Sequence, residues 1–364
     1  MFTFFHGEDE LGFLAFLFTM SLLSWKVCAT EGRYATQPGM IPHELGRTER
    51  DRNMNVIEQI PEFNAPNTQP LQKHTNDLNP RWWDRMVARL PKKGILLVST
   101  DLHGNMSDYQ MMKELYIAEE RMGNDPFLLF CGDMVHGPNP LLNEPGAWPE
   151  YLGTEYRDES AALILDYMKF AKKARTTCLM GNHEHAHAGG PRLSKFHEDE
   201  GGVLEHQLGD MRQPFRDFIA RYPRLAVTHC GLVFTHASPA GTEESLDAFE
   251  ALTYEPTLPE PSSIFYHPNT VGYLLWARYA SDEQAKALLK ATAPEGATNH
   301  MVLHGHEIVE HGYDVRTPHQ ICLSTSYGIH NENKYYLRVD LSKQYTCPQD
   351  LREGIELKRL YPGM

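Results

Sequence analysis

Hydrophobic and polar positions divide this chain into regimes. Residues 30 to 80 carry Pro61, Pro66, Pro70 and many Asn and Gln with no sustained apolar period, which predicts a surface wrap or linker. From residue 94 onward, unbroken apolar runs recur: GILLVST (94–100), FLLFC (127–131), TTCLM (176–180), GLVFT (231–235), HMVLH (300–304), QICLST (320–325) and YYLRVDL (335–341). A run without alternation predicts a strand buried on both faces, because a wet face would place a polar residue at every second position. Helical patterns separate several of these runs. Ser107-x-x-Gln110 opens Ser107 to Arg121, and Ser281-x-x-Gln284 opens a helix with Ala285, Leu288 and Leu289 on one face; both fit a capping box. Asp158 to Ala174 is a third helix, and a short basic helix is expected just after Trp82 and Trp83. Alternating strands and helices define an α/β layered domain, and the crowding of late strands predicts a second sheet packed on the first.

Composition narrows the partners. The chain has 364 residues, enough for one large core plus an extension. Its formal charge is −14 and no Lys/Arg run exceeds two, so it lacks the basic stripe that nucleic acid requires, and no nucleic-acid partner is expected. The six cysteines (28, 131, 178, 230, 322 and 347) form no CxxC pair; those at 131, 178 and 322 sit in strand-like runs and read as buried, reduced thiols. Leu11 to Trp25 is apolar but shorter than the roughly 18 residues of a spanning helix. Glu8, Asp9 and Glu10 precede it where a signal peptide carries basic residues, although Val27-Cys28-Ala29 resembles a cleavage site. The cytoplasm is the expected compartment, with export or membrane anchoring through residues 11–25 as the alternative. The oligomeric state is left open.

Candidate chemistry sits at the ends of the apolar runs: Asp101-Leu-His103, Gly132-Asp133, Gly181-Asn182-His183-Glu184, Thr235-His236 and Gly305-His306. Carboxylate, amide and imidazole donors without cysteine suit divalent manganese, iron or zinc. In a strand, residues i and i+2 share a side, so Asp101 and His103 can reach one cation. Asp133, with two oxygens, is the candidate bridge to a second cation held by Asn182, His236 and His306. The expected cofactors are therefore two divalent metal ions. Two carboxylates against two dications leave net positive charge that attracts phosphate and acidifies water. His183 is the candidate general acid for the leaving oxygen, and Glu184 orients the loop.

With these residues in place, the chain resembles the calcineurin-like metallophosphoesterase superfamily, and within it the phosphoprotein (serine/threonine) phosphatases. Further likeness lies in Tyr222-Pro223-Arg224-Leu225-Ala226-Val227 before LVFTHASP, in Leu274-Leu275-Trp276, and in HGHEIVEHGYDVR (304–316) followed by QICLSTSYG (320–328). The resemblance implies a four-layer α/β/β/α sandwich, with Asp101, His103 and Asp133 on one metal and Asp133, Asn182, His236 and His306 on the other. It also brings Tyr327 near the site. The second motif departs from the family pattern GDxVDRG: Gly132-Asp133-Met134-Val135-His136-Gly137 lacks the Asp that pairs with the acid histidine and a phosphate-clamping Arg. His304 stands where an Arg is usual, and the interval after the LLW strand offers Arg278, Lys286 and Lys290. Arg192 and His136, then Arg278, His304 and Tyr327, are the candidates for substrate contact.

The expected organisation is an apolar N-terminal segment (1–29), a polar extension (30–90), a catalytic domain (91–345) and a C-terminal tail (346–364). The expected activity is hydrolysis of a phosphomonoester, on a small molecule or a phosphoprotein, by hydroxide generated on the two cations. The alternatives are a phosphodiesterase or dinucleotide polyphosphate hydrolase, a metal-binding scaffold without turnover, and hydrolysis of a non-phosphate bond.

Overall fold

Seven strand runs buried on both faces require cover on both sides, and two stacked sheets with outer helices supply it. The computed structural model describes residues 78–190, 193–196, 198–252 and 269–363. The apolar stretch 11–25, Cys28, residues 30–77 and Arg192 lie outside the described residues. All described residues fall in the unit Pro70–Met364.

The first half of the chain runs β1 (Val87–Arg89), β2 (Ile95–Ser99), α1 (Met106–Arg121), β3 (Phe127–Phe130), α2 (Ser160–Ala171), β4 (Thr176–Cys178), α3 (Asn182–His185), α4 (Glu200–Leu208) and α5 (Arg212–Ile219). The second runs β5 (Leu225–Val227), β6 (Leu232–Thr235), α6 (Leu246–Glu250), α7 (Thr270–Trp276), α8 (Asp282–Ala291), β7 (Met301–His304), β8 (Tyr313–Thr317), β9 (Gln320–Leu323), β10 (Tyr335–Asp340) and β11 (Leu357–Arg359). One sheet has the order β11-β10-β2-β3-β4 and the other β1-β5-β6-β7-β9-β8. Strands β2, β3 and β4 are parallel to one another, as are β6, β7 and β9.

Alternation within the six-stranded sheet separates two apolar layers. Ala88, Ala226, Leu232, Phe234, Met301 and Leu303 join the large core shared with the five-stranded sheet. Their neighbours Val87, Leu225, Val227, Val233 and Val302 instead pack with Phe249, Leu274, Leu288 and Leu289 of α6, α7 and α8. Period two thus gives each strand one face toward the opposite sheet and one toward helices.

Several local expectations change. The stretch after Trp83 is strand β1, not a basic helix; it pairs parallel with β5. Trp83 donates its Nε1–H to the Thr176 carbonyl at 2.9 Å, and Thr177 donates Oγ1–H to the Trp82 carbonyl at 2.8 Å. Residues 78–90, assigned to the polar extension, therefore carry part of the main core. The tail adds β11 antiparallel to β10. Helix α1 is capped by Asn105, whose side chain accepts from the Asp108 N–H at 3.2 Å, and not by Ser107. The Ser281/Gln284 capping box forms as expected, with bonds of 3.2 and 2.8 Å. Leu274-Leu275-Trp276 ends helix α7 and is no strand. Among the described residues, no helix is long and apolar enough to cross a membrane.

Candidate active site

Asp101 and His103 follow β2, Asp133 follows β3, and Asn182 and His183 begin α3 after β4; these are three adjacent strands of one sheet. His236 follows β6, His306 follows β7 and Tyr327 follows β9, adjacent strands of the other. Each of these residues thus leaves the carboxyl end of a parallel strand, where an open α/β sheet gathers its ligands. The loops turn sharply to do so. Asp101, His103, Asp133 and His306 have φ of 51°, 44°, 53° and 67°. This left-handed region costs a non-glycine residue on the order of 1–3 kcal/mol, and surrounding bonds must hold it.

Glu184 supplies several of those bonds. Its carboxylate accepts from the N–H groups of Gly181 (3.1 Å), Asp133 (2.9 Å), Met134 (2.7 Å) and Val135 (3.4 Å), stitching two loops together. Two glycines permit the close approach: a Cβ on Gly181 would lie 2.2 Å from Asp133 Oδ1, and one on Gly305 would lie 2.3 Å from Asp101 Oδ2. The Gly-Asp, Gly-Asn and Gly-His pairs in the sequence are in part this steric requirement.

Hydrogen bonds set the imidazole tautomers. A carbonyl only accepts, so the His103 contact to the His136 carbonyl (2.9 Å) and the His236 contact to the Cys131 carbonyl (2.8 Å) place each proton on Nδ1. The Nε2 lone pairs then face Asp133 Oδ2, at 3.6 Å from His103 and 3.4 Å from His236. His236 Nε2 is also 3.0 Å from Asn182 Oδ1 and 3.1 Å from His306 Nδ1. The second ring nitrogen of His306 is buried with no hydrogen-bond partner. Asp133 Oδ1 accepts from the His183 N–H at 3.0 Å. Asp101 is adjacent, but both its oxygens accept from the His306 N–H at 3.1 Å.

Electron-pair donors therefore face one another across the site. His103, Asp133 and His183 converge within 4.8 Å, as do Asp133, His236 and His306, with Asp133 common to both. Donor separations of 3.0 to 3.6 Å fit the edges of a shell whose bonds are about 2.0–2.2 Å long. Charge agrees with geometry. Burial, reinforced by the neighbouring Asp133 charge, pushes Asp101 up to about 7, and burial pushes Asp133 up to about 7. Burial holds His103, His183 and His306 well below the usual imidazole range, so their lone pairs are available. Such a cluster gains most from divalent cations.

The tentative substrate residues fare differently. The Tyr327 ring packs 4.6 Å from the His103 ring and 5.4 Å from Phe196, so it does reach the site. His136 is buried behind His183, with the two Nδ1 atoms 3.1 Å apart. Arg278 is exposed and paired with Glu307 at 2.6 Å. His304 is buried, with Nδ1 3.1 Å from the Gly305 carbonyl, and shares the Val302 side of β7 that faces the outer helices. Three residues that the sequence did not single out surround the cluster: Lys195, Phe196 and Glu200. Lys195 Nζ stands 4.4 Å from the Tyr327 ring centre and 5.0 Å from that of Phe196. Phe196 lies 5.4 Å from the His103 ring and 5.6 Å from that of His183. A lone Lys-Phe pair after a glycine turn offers no signal stronger than a solvated loop.

Two sheets delivering a buried Asp/His/Asn cluster at their carboxyl edges define a metal-dependent hydrolase. The sequence pattern of calcineurin-like phosphoesterases matches residues 95–324, and the chain belongs to that family. It is accordingly a metal-dependent phosphoesterase. A comparison with curated proteins gave no match. Among solved structures, it is similar to a serine/threonine phosphatase from Saccharomyces cerevisiae described as similar to human phosphatase PP5, with 13% identity over 70% of this chain and 77% of that one and a TM-score of 0.46. It is also similar to a cold-active protein-tyrosine phosphatase of a Shewanella species (12% identity, 72% and 82% covered, TM-score 0.38). A metallophosphoesterase from Sphaerobacter thermophilus is similar at 12% identity, 69% and 85% covered, TM-score 0.35.

Proposed function

We propose that this chain is a dinuclear phosphomonoesterase acting on a phosphorylated small molecule or a phosphoprotein. The observation that carries this reading is the position of Asp133, whose carboxylate belongs to both converging donor groups. Asp101, His103 and Asp133 would hold one cation, and Asp133, Asn182, His236 and His306 the other. Manganese, iron or zinc suits this donor set and, when bound, lowers the pKa of water and neutralises phosphate charge.

The chain's own groups supply the rest. His183 gives its proton to the leaving oxygen as the phosphorus–oxygen bond breaks. Lys195, above the Tyr327 ring, presents a point positive charge at the mouth where a bidentate Arg clamp is missing. Phe196 and Tyr327 wall the cluster and exclude water from His103 and His183.

The test is the initial rate on para-nitrophenyl phosphate and on bis-para-nitrophenyl phosphate, with and without manganese, alongside metal analysis. Faster manganese-dependent cleavage of the monoester is expected, with two metal equivalents per chain. Diester preference would replace the reading with a phosphodiesterase or dinucleotide polyphosphate hydrolase. Bound metal without turnover on either ester would leave a scaffold or a non-phosphate substrate.

A further inference from the structure

A buried carboxylate lies beside His183, contributed by the helix that follows α3 in the chain. Glu200, the first residue of α4, is 1% exposed. Its Oε2 accepts from the Phe196 N–H at 2.9 Å. Its Oε1 lies 3.6 Å from His183 Nδ1 and 3.6 Å from His136 Nδ1, and those two nitrogens are 3.1 Å apart. Buried carboxylates are held by charge or hydrogen bonds, and two imidazoles lie within ion-pair distance of this one.

The hydrogen bonds beyond His136 give the arrangement a direction. Arg216 donates to both oxygens of Glu205 at 2.8 and 2.6 Å, and Glu205 lies 2.9 Å from His187 Nδ1. A carboxylate accepts, so His187 carries its proton on Nδ1 and offers the lone pair of Nε2. That lone pair is 2.6 Å from His136 Nε2, which must therefore be the donor. His136 Nδ1 faces His183 Nδ1 at 3.1 Å. The backbone N–H of His136 donates to the same His183 nitrogen at 3.4 Å, so the ring and the main chain of His136 both meet Nδ1. With Nδ1 engaged there, Nε2 of His183 is left for the leaving oxygen.

We infer that Glu200 and His136 are positioning residues: they fix the ring orientation of His183, with His187 and Glu205 holding His136 in turn. The inference rests on the reading of His183 as general acid. In that step the Nε2–H bond breaks, the leaving alcohol gains the proton, and His183 is left neutral with its Nδ1 still facing His136. At 3.6 Å, Glu200 Oε1 and His183 Nδ1 are at ion-pair distance, beyond hydrogen-bond length.

The experiment compares wild type, Glu200→Gln, Glu205→Gln, His183→Ala and the Glu200→Gln/His183→Ala double variant in the manganese-loaded full chain. Phenyl phosphate, with a poor leaving group, is set against 2,4-dinitrophenyl phosphate, which needs no acid. Glu200→Gln is expected to lower kcat on phenyl phosphate by roughly 10- to 100-fold, part of the 10²–10⁴ that general acid catalysis provides. KM, bound metal and the dinitrophenyl rate stay as in wild type. The double variant falls no further than His183→Ala. Glu205→Gln, at the solvent end of the chain, shows a smaller loss with the same substrate dependence, and it carries the test if Glu200→Gln fails to fold.

Wild-type kcat in Glu200→Gln beside a slow His183→Ala would overturn the positioning role and leave the acid in place. Equal losses on both substrates, or loss of metal, would make Glu200 structural. A third zinc equivalent in wild type that disappears in Glu200→Gln would make His136, His183 and Glu200 a cation site instead. An unchanged phenyl phosphate rate in His183→Ala would remove the acid reading itself.

Discussion

Asp133 is the residue on which both halves of the cluster depend, because one oxygen faces two imidazole lone pairs and the other holds the His183 amide. Asp133→Asn keeps the shape and the amide bond but removes the charge. Bound metal, read by elemental analysis, should fall in this variant, and kcat/KM should drop by more than about 100-fold, the upper end of what loss of a mere supporting group costs. Full metal content at the wild-type rate would remove Asp133 from the bridge. The residues that the structure gathers were legible because each stands beside a strand run and several follow a glycine whose missing side chain makes room. Glu200 was not legible: HEDEG reads as a solvated acidic turn, and only tertiary packing puts that carboxylate opposite two imidazoles. His136 was read as a substrate contact; packing buries it with its Nδ1 3.1 Å from that of His183.

At the scale of elements, α3 carries a titration signature. His185, at the end of this short helix, is buried, and burial, with the Arg224 charge beside it, holds its imidazole down to about 3. The unfolded chain protonates it below about 6.5 while the folded chain does not, so stability falls as pH drops from there toward 3. His185→Gln should flatten the pH dependence of the urea unfolding free energy by about 1.4 kcal/mol per pH unit within that window. Parallel slopes for the two proteins would show that His185 titrates alike in both states. Elements buried on both faces were legible from unbroken apolar runs, as β2, β3, β6, β7 and β9 illustrate. Those missed were short or wet. β1, β5 and β11 have three residues each, and β8 (YDVRT) is an edge strand with no buried residue. Leu274-Leu275-Trp276 was misread because three apolar residues satisfy a strand and a helix equally; Asn269, capping α7 through the Gly272 N–H at 2.8 Å, was the missing signal.

Across the described residues, a buried ion pair fastens the late segments around β10 and Tyr361 to helix α1. Asp108 of α1 accepts from Lys334 Nζ (2.6 Å), Tyr361 Oη (2.6 Å) and Ser326 Oγ (2.5 Å), and Lys334 is 1% exposed. Lys334→Met leaves a carboxylate buried without its cation, and unfolding in urea should show a loss of about 3–5 kcal/mol. A change under 1 kcal/mol would show that the carboxylate is solvated in the variant. The two-sheet architecture was legible in the alternation of strands and helices; the return of β10 and β11 to the first sheet was not, because pairing order leaves no mark on a strand's own residues. The donor cluster draws on both sheets, with Asp101, Asp133 and Asn182 from the earlier one and His236 and His306 from the later. During synthesis the first three can gather while the two imidazoles are still untranslated. A nascent chain therefore offers an unfinished cradle until β7 and the loop behind it have emerged, and hydrolytic power arrives only once His306 is in place.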